Sequence, residues 1–216
     1  MALIFGLAAC GQAPPPAVER SSTPATAVPA PAAEIRIVVL GNSLAAGLGL
    51  AERDAFPAVL ESLLRGDGLD VEIVNAGVSG DTSAGGLSRL DWALQRPADI
   101  LIVELGGNDA LRGQPLENTA ANLRQIVRRG RDSGADVILL GMDVPINYGP
   151  TYATAFSELY PRIAEEEGVT LVPGFVRVLG ENPELLQPDG LHPTAEGQRR
   201  LAETLFPIVA DTLDPE

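Results

Sequence analysis

The chain has 216 residues and a formal net charge of −14 at neutral pH. Its length fits one domain with a large hydrophobic core, or one such domain and a tail. The acidic balance argues against a nucleic-acid partner and against a basic membrane-binding surface.

The residue inventory excludes several further classes of site. All fifteen basic residues are arginine, which excludes enzymes that need a P-loop lysine or a Schiff-base lysine. His192 is the single histidine and Cys10 the single cysteine. A Cys/His zinc site therefore lacks ligands and no internal disulfide can form, while a Mg²⁺ or Ca²⁺ site made of carboxylates alone stays open.

Residues 1–11 are predicted to be a lipoprotein-type signal segment. Their apolar run is too short to span a bilayer but long enough for the core of a secretory signal. The run ends in Leu7-Ala8-Ala9-Cys10, which resembles the bacterial lipoprotein signal whose cysteine is lipidated. No basic residue precedes the run, and an incidental cysteine at a frayed terminus is the alternative. We expect an exported, periplasmic protein with Cys10 as a candidate membrane anchor.

Residues 12–33 are rich in proline, alanine, serine and threonine. This composition cannot build a core and predicts an extended, disordered tether. At about 3.1 Å per residue in polyproline geometry, the tether would reach roughly 60–70 Å. Residues 34–216 are predicted to form the folded domain.

Within that domain, strands alternate with helices. Short apolar and β-branched runs predict five buried strands at residues 35–40, 71–74, 100–103, 137–140 and 169–172. Helices with one apolar face lie between them: Asp54 is expected to cap the first, Pro97 to end the second, and the last begins near Thr194. The alternation predicts an α/β fold, with a parallel sheet and helices on both of its faces.

Ser43 follows the first predicted strand, in the run Gly41-Asn42-Ser43-Leu44-Ala45-Ala46-Gly47. These small residues let the backbone turn sharply and start a helix. Open α/β sheets place their chemistry at this carboxyl edge, where the hydroxyl would be exposed beside free backbone N–H groups. The alternative is that Ser43 only caps the next helix.

The single histidine lies on a loop after the fifth strand, in Asp189-Gly190-Leu191-His192. The Asp189 carboxylate can accept from Nδ1–H and fix the ring tautomer, so that Nε2 takes the proton from Ser43 Oγ. A free histidine titrates near pH ~6.5, which suits a general base. The alternative is a hydrogen-bonded histidine that only begins a helix.

Two more loops at the same edge carry candidate oxyanion donors. Gly80 lies in Ser79-Gly80-Asp81-Thr82, and Asn108 lies in Gly106-Gly107-Asn108-Asp109. The Gly80 N–H and the Asn108 amide can donate to a developing negative charge, and each such donor is typically worth ~3–4 kcal/mol in the transition state. Ordinary turn chemistry of glycine, asparagine and aspartate is the alternative.

Together these four segments resemble, in order, the four sequence blocks of the SGNH (GDSL) hydrolase family. The similarity continues through residues 103–113 and Asn147-Tyr148-Gly149, and it extends over about residues 35–212. The chain looks like the bacterial branch of multifunctional thioesterases, lysophospholipases and arylesterases. The resemblance implies a flavodoxin-like three-layer α/β/α sandwich with a five-stranded parallel sheet, and no metal or organic cofactor.

The resemblance also implies roles for individual residues. Ser43 would be the nucleophile, His192 the base and Asp189 its orienting acid. The Ser43 N–H, the Gly80 N–H and the Asn108 side chain would form the oxyanion hole. The segments after the third and fourth strands would border the pocket, which makes five residues candidate substrate contacts: Asp109, Leu111, Arg112, Asn147 and Tyr148.

Position 42 departs from the family pattern, which usually has aspartate where this chain has Asn42. Asparagine keeps the acceptor oxygen and loses the charge. Because this position lies outside the triad, we expect an effect on loop organisation rather than on proton transfer. The expected consequence is a tuned rate and not an inactive enzyme.

The leading hypothesis is a monomeric serine esterase that hydrolyses carboxylic esters or thioesters, including aryl esters, short-to-medium acyl esters and lysophospholipids. A carbohydrate O-deacetylase is the alternative within the family, although an aromatic content of 4% offers no obvious platform for stacking sugars. The alternative from another class is a non-catalytic, flavodoxin-like binding lipoprotein. The acidic charge weakly disfavours polyanionic substrates such as acyl-CoA, an effect that a local arginine such as Arg112 could offset.

Overall fold

The computed structural model describes residues 34–144, 149–180 and 182–214. Five parallel strands form one sheet in the order β2-β1-β3-β4-β5. The strands are β1 Ile35–Gly41, β2 Val71–Gly77, β3 Ile100–Glu104, β4 Asp136–Leu140 and β5 Thr170–Val172. The predicted α/β class and five-stranded parallel sheet are confirmed, and the strand order is the flavodoxin-like one.

Helices cover both faces of this sheet. The described residues form seven α-helices: α1 Ser43–Ala46, α2 Phe56–Gly66, α3 Ser83–Ala93, α4 Gly107–Leu111, α5 Leu116–Asp132, α6 Pro150–Glu167 and α7 Ala195–Leu213. Helices α2 and α7 pack on one face, while α3, α5 and α6 pack on the other. Three short 3₁₀ turns complete the described elements: Glu52–Asp54, Phe175–Leu179 and Pro183–Leu185.

The central strands are apolar on both sides because each side faces a layer of helices. Val38 and Leu40 of β1 join the core beneath α3, α5 and α6, whereas Ile37 and Val39 join the core beneath α2 and α7. Every residue of β3 is buried. Each fully buried Val, Leu or Ile contributes about 1.5–3 kcal/mol relative to exposure, so these runs decide where the sheet forms.

The prediction that Asp54 caps the first long helix is wrong. Asp54 lies in the 3₁₀ turn, and Ala55 directly precedes α2 without a side-chain cap. The Phe56 N–H instead donates to Gln198 Oε1 of α7 at 2.9 Å. A side chain from the other end of the domain thus satisfies the helix terminus.

Other boundaries follow the predictions closely, with two differences. Thr194 caps α7 by accepting from the Gly197 N–H, and α3 ends at Ala93, before Pro97. Strand β2 continues to Gly77 because β1 pairs with it in register as far as Gly41. The short helix α4, which follows β3, was not predicted.

The strand order places β1 between β2 and β3, although β1 comes first along the chain. The chain therefore runs from β1 to β2 on one side of β1 and then crosses to β3 on its other side. This reversal of direction opens a crevice at the carboxyl end of β1. The loops after β1, β2 and β3 meet there. Within the residues described, no helix is long and apolar enough to cross a membrane.

Candidate active site

The turn after β1 presents Ser43 as the first residue of α1. Asn42 caps this helix, and its Oδ1 accepts from the Leu44 N–H at 3.0 Å. A side chain on Gly41 would meet Ala45 Cβ at 2.5 Å, so only glycine allows strand and helix to pack this closely. Ser43 is largely buried, with 9% of its surface exposed, which limits its hydroxyl to the few groups that reach it.

His192 reaches Ser43 from the opposite side. The Ser43 Oγ lies 2.8 Å from His192 Nε2, and His192 Nδ1 lies 2.6 Å from Asp189 Oδ2. Asp189 Oδ1 also accepts from the backbone N–H groups of Leu191 and His192. The hydrogen bond from the His192 ring, followed by these backbone donors, lowers the pKa of Asp189 to about 2. An ionised Asp189 favours the tautomer whose Nε2 lone pair faces Ser43.

Gln187 joins the His192 loop to the segment that follows Ser43. Its backbone N–H donates to the His192 carbonyl at 2.7 Å. Its side-chain Nε2 donates to the carbonyls of Leu48 at 2.7 Å and Pro193 at 2.9 Å. Gln187 was missed in the sequence because nothing in the local pattern distinguishes it from a surface loop residue.

The predicted oxyanion donors line the same cavity as Ser43: Gly80 and Asn108. As the first helical residue, Ser43 has an N–H without a partner inside α1. Gly80 has a φ of +82°, a left-handed conformation that glycine adopts without strain. Asn108 Nδ2 donates to the Asp81 carbonyl at 2.9 Å, which holds its amide against the Gly80 loop and leaves a second N–H on the same nitrogen.

Arg89 of α3 clamps the base of the site. Its guanidinium donates to the carbonyls of Gly41 at 2.9 Å and Ala76 at 2.6 Å, and to the Asp81 carboxylate at 2.6 Å. The ends of β1 and β2 and the Gly80 loop are thereby joined through one side chain. The available signal in the sequence was an arginine between the apolar helix positions Leu87 and Leu90.

Glu104 ends β3 and is fully buried behind the turn that carries Ser43. Its Oε2 accepts from the backbone N–H groups of Asn42 at 2.9 Å and Ala45 at 3.3 Å, and its Oε1 accepts from Asn42 Nδ2 at 2.7 Å. Burial raises the pKa of Glu104 to about 8, against the lowering effect of these donors. A charged residue closing an apolar strand was the signal that the sequence offered for this role.

A cavity of about 530 Å³ opens beside Ser43 and His192. Its walls are mainly aliphatic: Leu44, Leu48, Leu111, Met142, Val144, Val176, Leu179, Leu186 and Leu191. Leu48, Leu111 and Leu191 are also among the large apolar side chains exposed to solvent. Across the three described ranges, no group of three or more His, Cys, Asp or Glu side chains is arranged to hold a metal ion.

The predicted substrate contacts lie in different parts of the structure. Leu111 lies on the cavity wall, and Arg112 binds the Gly80 carbonyl at 2.6 Å. Asp109 is buried, and its carboxylate accepts from Ser83 and Thr119. Three other predicted residues lie outside the described ranges: Asn147, Tyr148 and Cys10.

Comparison with known proteins shows the family to which the chain belongs. The profile of the GDSL-like Lipase/Acylhydrolase family matches residues 39–200. The chain is 42% identical to "Esterase TesA" of Pseudomonas aeruginosa over 184 residues, which cover 84% of this chain and 91% of that protein. It is 39% identical to "Thioesterase 1/protease 1/lysophospholipase L1" of Escherichia coli over 173 residues, which cover 80% and 82% of the two chains.

A solved structure extends the similarity to three dimensions. The crystal structure of a protein named TesA superposes with a TM-score of 0.78 at 41% identity, over 83% of this chain and 98% of that one. Both the sequence blocks and the fold therefore agree along nearly the whole described region. The chain belongs to the GDSL-like lipase/acylhydrolase family, that is, to the SGNH hydrolases.

Proposed function

We propose that this protein is a serine esterase in which Ser43 is the nucleophile, His192 the general base and Asp189 the residue that orients His192. The observation that carries the proposal is the chain of two short contacts, 2.8 Å from Ser43 Oγ to His192 Nε2 and 2.6 Å from His192 Nδ1 to Asp189 Oδ2. His192 removes the Ser43 proton as Oγ attacks the ester carbonyl, and it then protonates the leaving oxygen or sulfur. Water releases the acyl group by the reverse sequence.

The oxyanion of the tetrahedral intermediate is held by the Ser43 N–H, the Gly80 N–H and the Asn108 side chain. All three residues line one cavity, and the Asn108 amide is anchored by its bond to the Asp81 carbonyl. Donors fixed in advance stabilise the developing charge without reorganising during the reaction. Arg112 supports the same loop from outside by binding the Gly80 carbonyl.

The aliphatic cavity favours acyl groups as the part of the substrate that is recognised. We propose carboxylic esters and thioesters with short-to-medium acyl chains, aryl esters and lysophospholipids as the substrate class. Aliphatic walls support an acyl chain better than a sugar ring, which needs polar partners. The names of the relatives, an esterase and a thioesterase/lysophospholipase, support the same class.

Hydrolysis of p-nitrophenyl esters from acetate to palmitate, with wild type beside Ser43→Ala, tests this function. Turnover by the wild type that the variant loses establishes the serine esterase, and the chain-length optimum gives the acyl preference. Turnover that survives in Ser43→Ala refutes the assigned nucleophile. Turnover at no chain length refutes the proposed substrate class and favours a specialised sugar ester or a binding protein.

From the sequence alone, we further propose that residues 1–11 direct export to the periplasm, that Cys10 is lipidated, and that residues 12–33 tether a domain formed by residues 34–216. The Leu-Ala-Ala-Cys motif and the proline-rich composition support this proposal. Labelling of bacterial cultures with radioactive palmitate should mark the wild type and not Cys10→Ser. Equal labelling of both would refute lipidation at Cys10.

A further inference from the structure

An ion pair joins two segments of the cavity wall. Arg177 Nε donates to Asp143 Oδ2 at 2.6 Å, and Arg177 Nη2 donates to Asp143 Oδ1 at 2.7 Å. Asp143 follows β4 and lines the cavity, whereas Arg177 belongs to the 3₁₀ turn Phe175–Leu179 that follows β5. Two parallel contacts fix the direction of a guanidinium against a carboxylate as well as their distance. The pair therefore sets the spacing of the two segments that carry it.

The residues beside the pair form apolar wall, and four of them line the cavity: Met142, Val144, Val176 and Leu179. Close to the sheet, backbone hydrogen bonds already join the two segments. The Gly141 N–H donates to the Val172 carbonyl and the Phe175 N–H donates to the Gly141 carbonyl, both at 2.8 Å. The ion pair lies two residues further along each segment, so it holds the parts of the wall that these backbone bonds do not reach.

The turn after β5 is shaped to let Arg177 reach across. Gly174 has a φ of +56°, and a side chain there would meet Arg177 Cδ at 2.5 Å. Glycine at this position thus permits both the left-handed turn and the path of the arginine over it. Packing and hydrogen bonding independently direct Arg177 towards Asp143.

The sheet order separates this pair from Ser43. Strand β3 lies between β1 and β4, and both β3 and β4 lie between β1 and β5. Since neighbouring strands are about 4.8 Å apart, the ends of β4 and β5 lie roughly 10–14 Å from the end of β1. One cavity nevertheless includes both Ser43 and Asp143. An extended acyl chain on Ser43, advancing roughly 1.3 Å per carbon, would reach the pair after roughly 8–11 carbons.

We propose that Asp143 and Arg177 are specificity-determining residues, whose ion pair closes the cavity at the end away from Ser43 and sets the acyl-chain length that the enzyme prefers. The inference rests on the proposed esterase function and deepens it. Short acyl groups end before the pair and do not meet it. Chains much longer than about ten carbons must pass between the two segments, and they are disfavoured while the pair joins those segments.

The exposure of the pair limits the size of the effect. The side chain of Arg177 is 67% exposed and that of Asp143 is 26% exposed, and solvent weakens ion pairs in such positions. We therefore expect a several-fold change in chain-length preference when the pair is lost, and not a complete switch. Competing substrates are distinguished by the ratio of their kcat/KM values, so a change of this size is directly measurable.

Neutralising both partners opens the closed end without leaving an unpaired charge on the wall. Asp143→Asn/Arg177→Met keeps the side chains near their original sizes and removes both charges and the guanidinium donors. We expect kcat/KM for p-nitrophenyl dodecanoate, divided by kcat/KM for p-nitrophenyl butyrate, to rise roughly fivefold. The rise should come from the dodecanoate value, because a butyryl group ends short of the pair.

Reversing the pair separates the effect of joining the segments from the effect of charge on the wall. In Asp143→Arg/Arg177→Asp, opposite charges again join the two segments, so the ratio should return to within about twofold of the wild type. Arg124→Met/Glu166→Gln is the matched control, because it neutralises an ion pair of 2.7 Å between α5 and α6 whose members do not line the cavity. The control should keep the wild-type ratio.

Urea unfolding midpoints establish which variants are folded before the ratios are compared. If Asp143→Asn/Arg177→Met does not fold, Asp143→Asn alone takes its place and should move the ratio in the same direction. A folded variant whose ratio stays within about twofold of the wild type, or a reversed pair that keeps the ratio of the neutral variant, overturns the inference. A wild type without turnover on any ester overturns the esterase function and the inference with it, whereas an active wild type with an unmoved ratio overturns the inference alone.

Discussion

The Asp189 carboxylate accepts three hydrogen bonds on its two oxygens. The presence of aspartate at this position decides the tautomer of His192. Oδ1 accepts from two backbone N–H groups, while Oδ2 is left for His192 Nδ1. In Asp189→Asn, the amide nitrogen would donate to His192 Nδ1. Because Nδ1 must then accept, the ring would adopt the tautomer with its proton on Nε2. That tautomer cannot accept the Ser43 proton.

We therefore expect Asp189→Asn to lower kcat by up to ~10⁴ with little change in KM. Steady-state hydrolysis of p-nitrophenyl butyrate measures this loss. Asp136→Asn, at the exposed amino end of β4, is the matched control and should retain wild-type turnover. A loss below tenfold in Asp189→Asn would show that another group orients His192.

A change at Asn108 tests the proposed oxyanion hole separately from the proposed triad. Asn108→Ala removes one fixed donor and should lower kcat on the order of 10²–10³, because the donor acts on the transition state more than on the bound ester. Asn118→Ala removes an exposed asparagine from α5 and serves as the control. A rise in KM with unchanged kcat would assign Asn108 to substrate binding.

At the scale of elements, Arg89 joins two strand ends to a loop that no strand pairing reaches. Its three contacts fix the Gly41 and Ala76 carbonyls and Asp81 relative to α3. Lysine keeps the charge but presents one nitrogen instead of a planar fork. The spacing of β1, β2 and the Gly80 loop thus depends on the shape of the side chain as well as on its charge.

Arg89→Lys should reduce the free energy of unfolding by about 1.5–3 kcal/mol, the typical value of hydrogen bonds to a charged group, and should lower kcat about tenfold or more. Urea unfolding and ester hydrolysis measure the two effects. Arg200→Lys changes an arginine whose side chain is 50% exposed and should change neither quantity measurably. Wild-type turnover in Arg89→Lys would contradict the clamp.

For the whole molecule, the raised pKa of Glu104 links stability to pH. The folded pKa of about 8 lies above the ordinary value of 4.5, so the folded state binds more protons between these values. The stabilisation that Glu104 contributes is fully present below about pH 4.5. It is lost as the pH rises towards 8, by up to about 1.4 kcal/mol of unfolding free energy per pH unit. The lowered pKa of Asp189 affects stability in a separate pH range, below about pH 4.

Urea unfolding from pH 5 to pH 8 should therefore show a decreasing free energy of unfolding in the wild type. Glu104→Gln removes the titration and should flatten this dependence, whatever its effect on stability at one pH. Glu167→Gln removes another buried carboxylate, paired with Arg128, and is the control that should keep the wild-type slope. An equal slope in Glu104→Gln and the wild type would show that another group produces the dependence.

The layered fold was predictable because its signal is local and repeated. Each buried strand is an uninterrupted apolar run, since both of its faces meet helices. The meeting of the four loops was predictable because parallel strands bring their carboxyl ends to one edge. Ser43 and His192 lie 149 residues apart in the chain and 2.8 Å apart in space, as that rule implies.

Other features depend on partners that a local pattern cannot show. Asp54 has the composition of a helix cap, yet Gln198 supplies the partner of the Phe56 N–H. Asp109 follows the site glycines, yet its carboxylate is turned into the core towards Ser83 and Thr119. Residue type and position allowed either role in each case, and the packing of distant helices selected one.

The sequence by itself determined the α/β class, the order of strands and helices along the chain, the family and the residues available for chemistry. These follow from periodicity and composition, which are properties of neighbouring residues. Only the tertiary structure decided how Glu104, Asn42 and Arg89 hold the turn that carries Ser43. The contacts of Glu104 and Arg89 with that turn span 48 to 62 residues of chain. The desolvation of Glu104 exists only once β3 is enclosed by its neighbours.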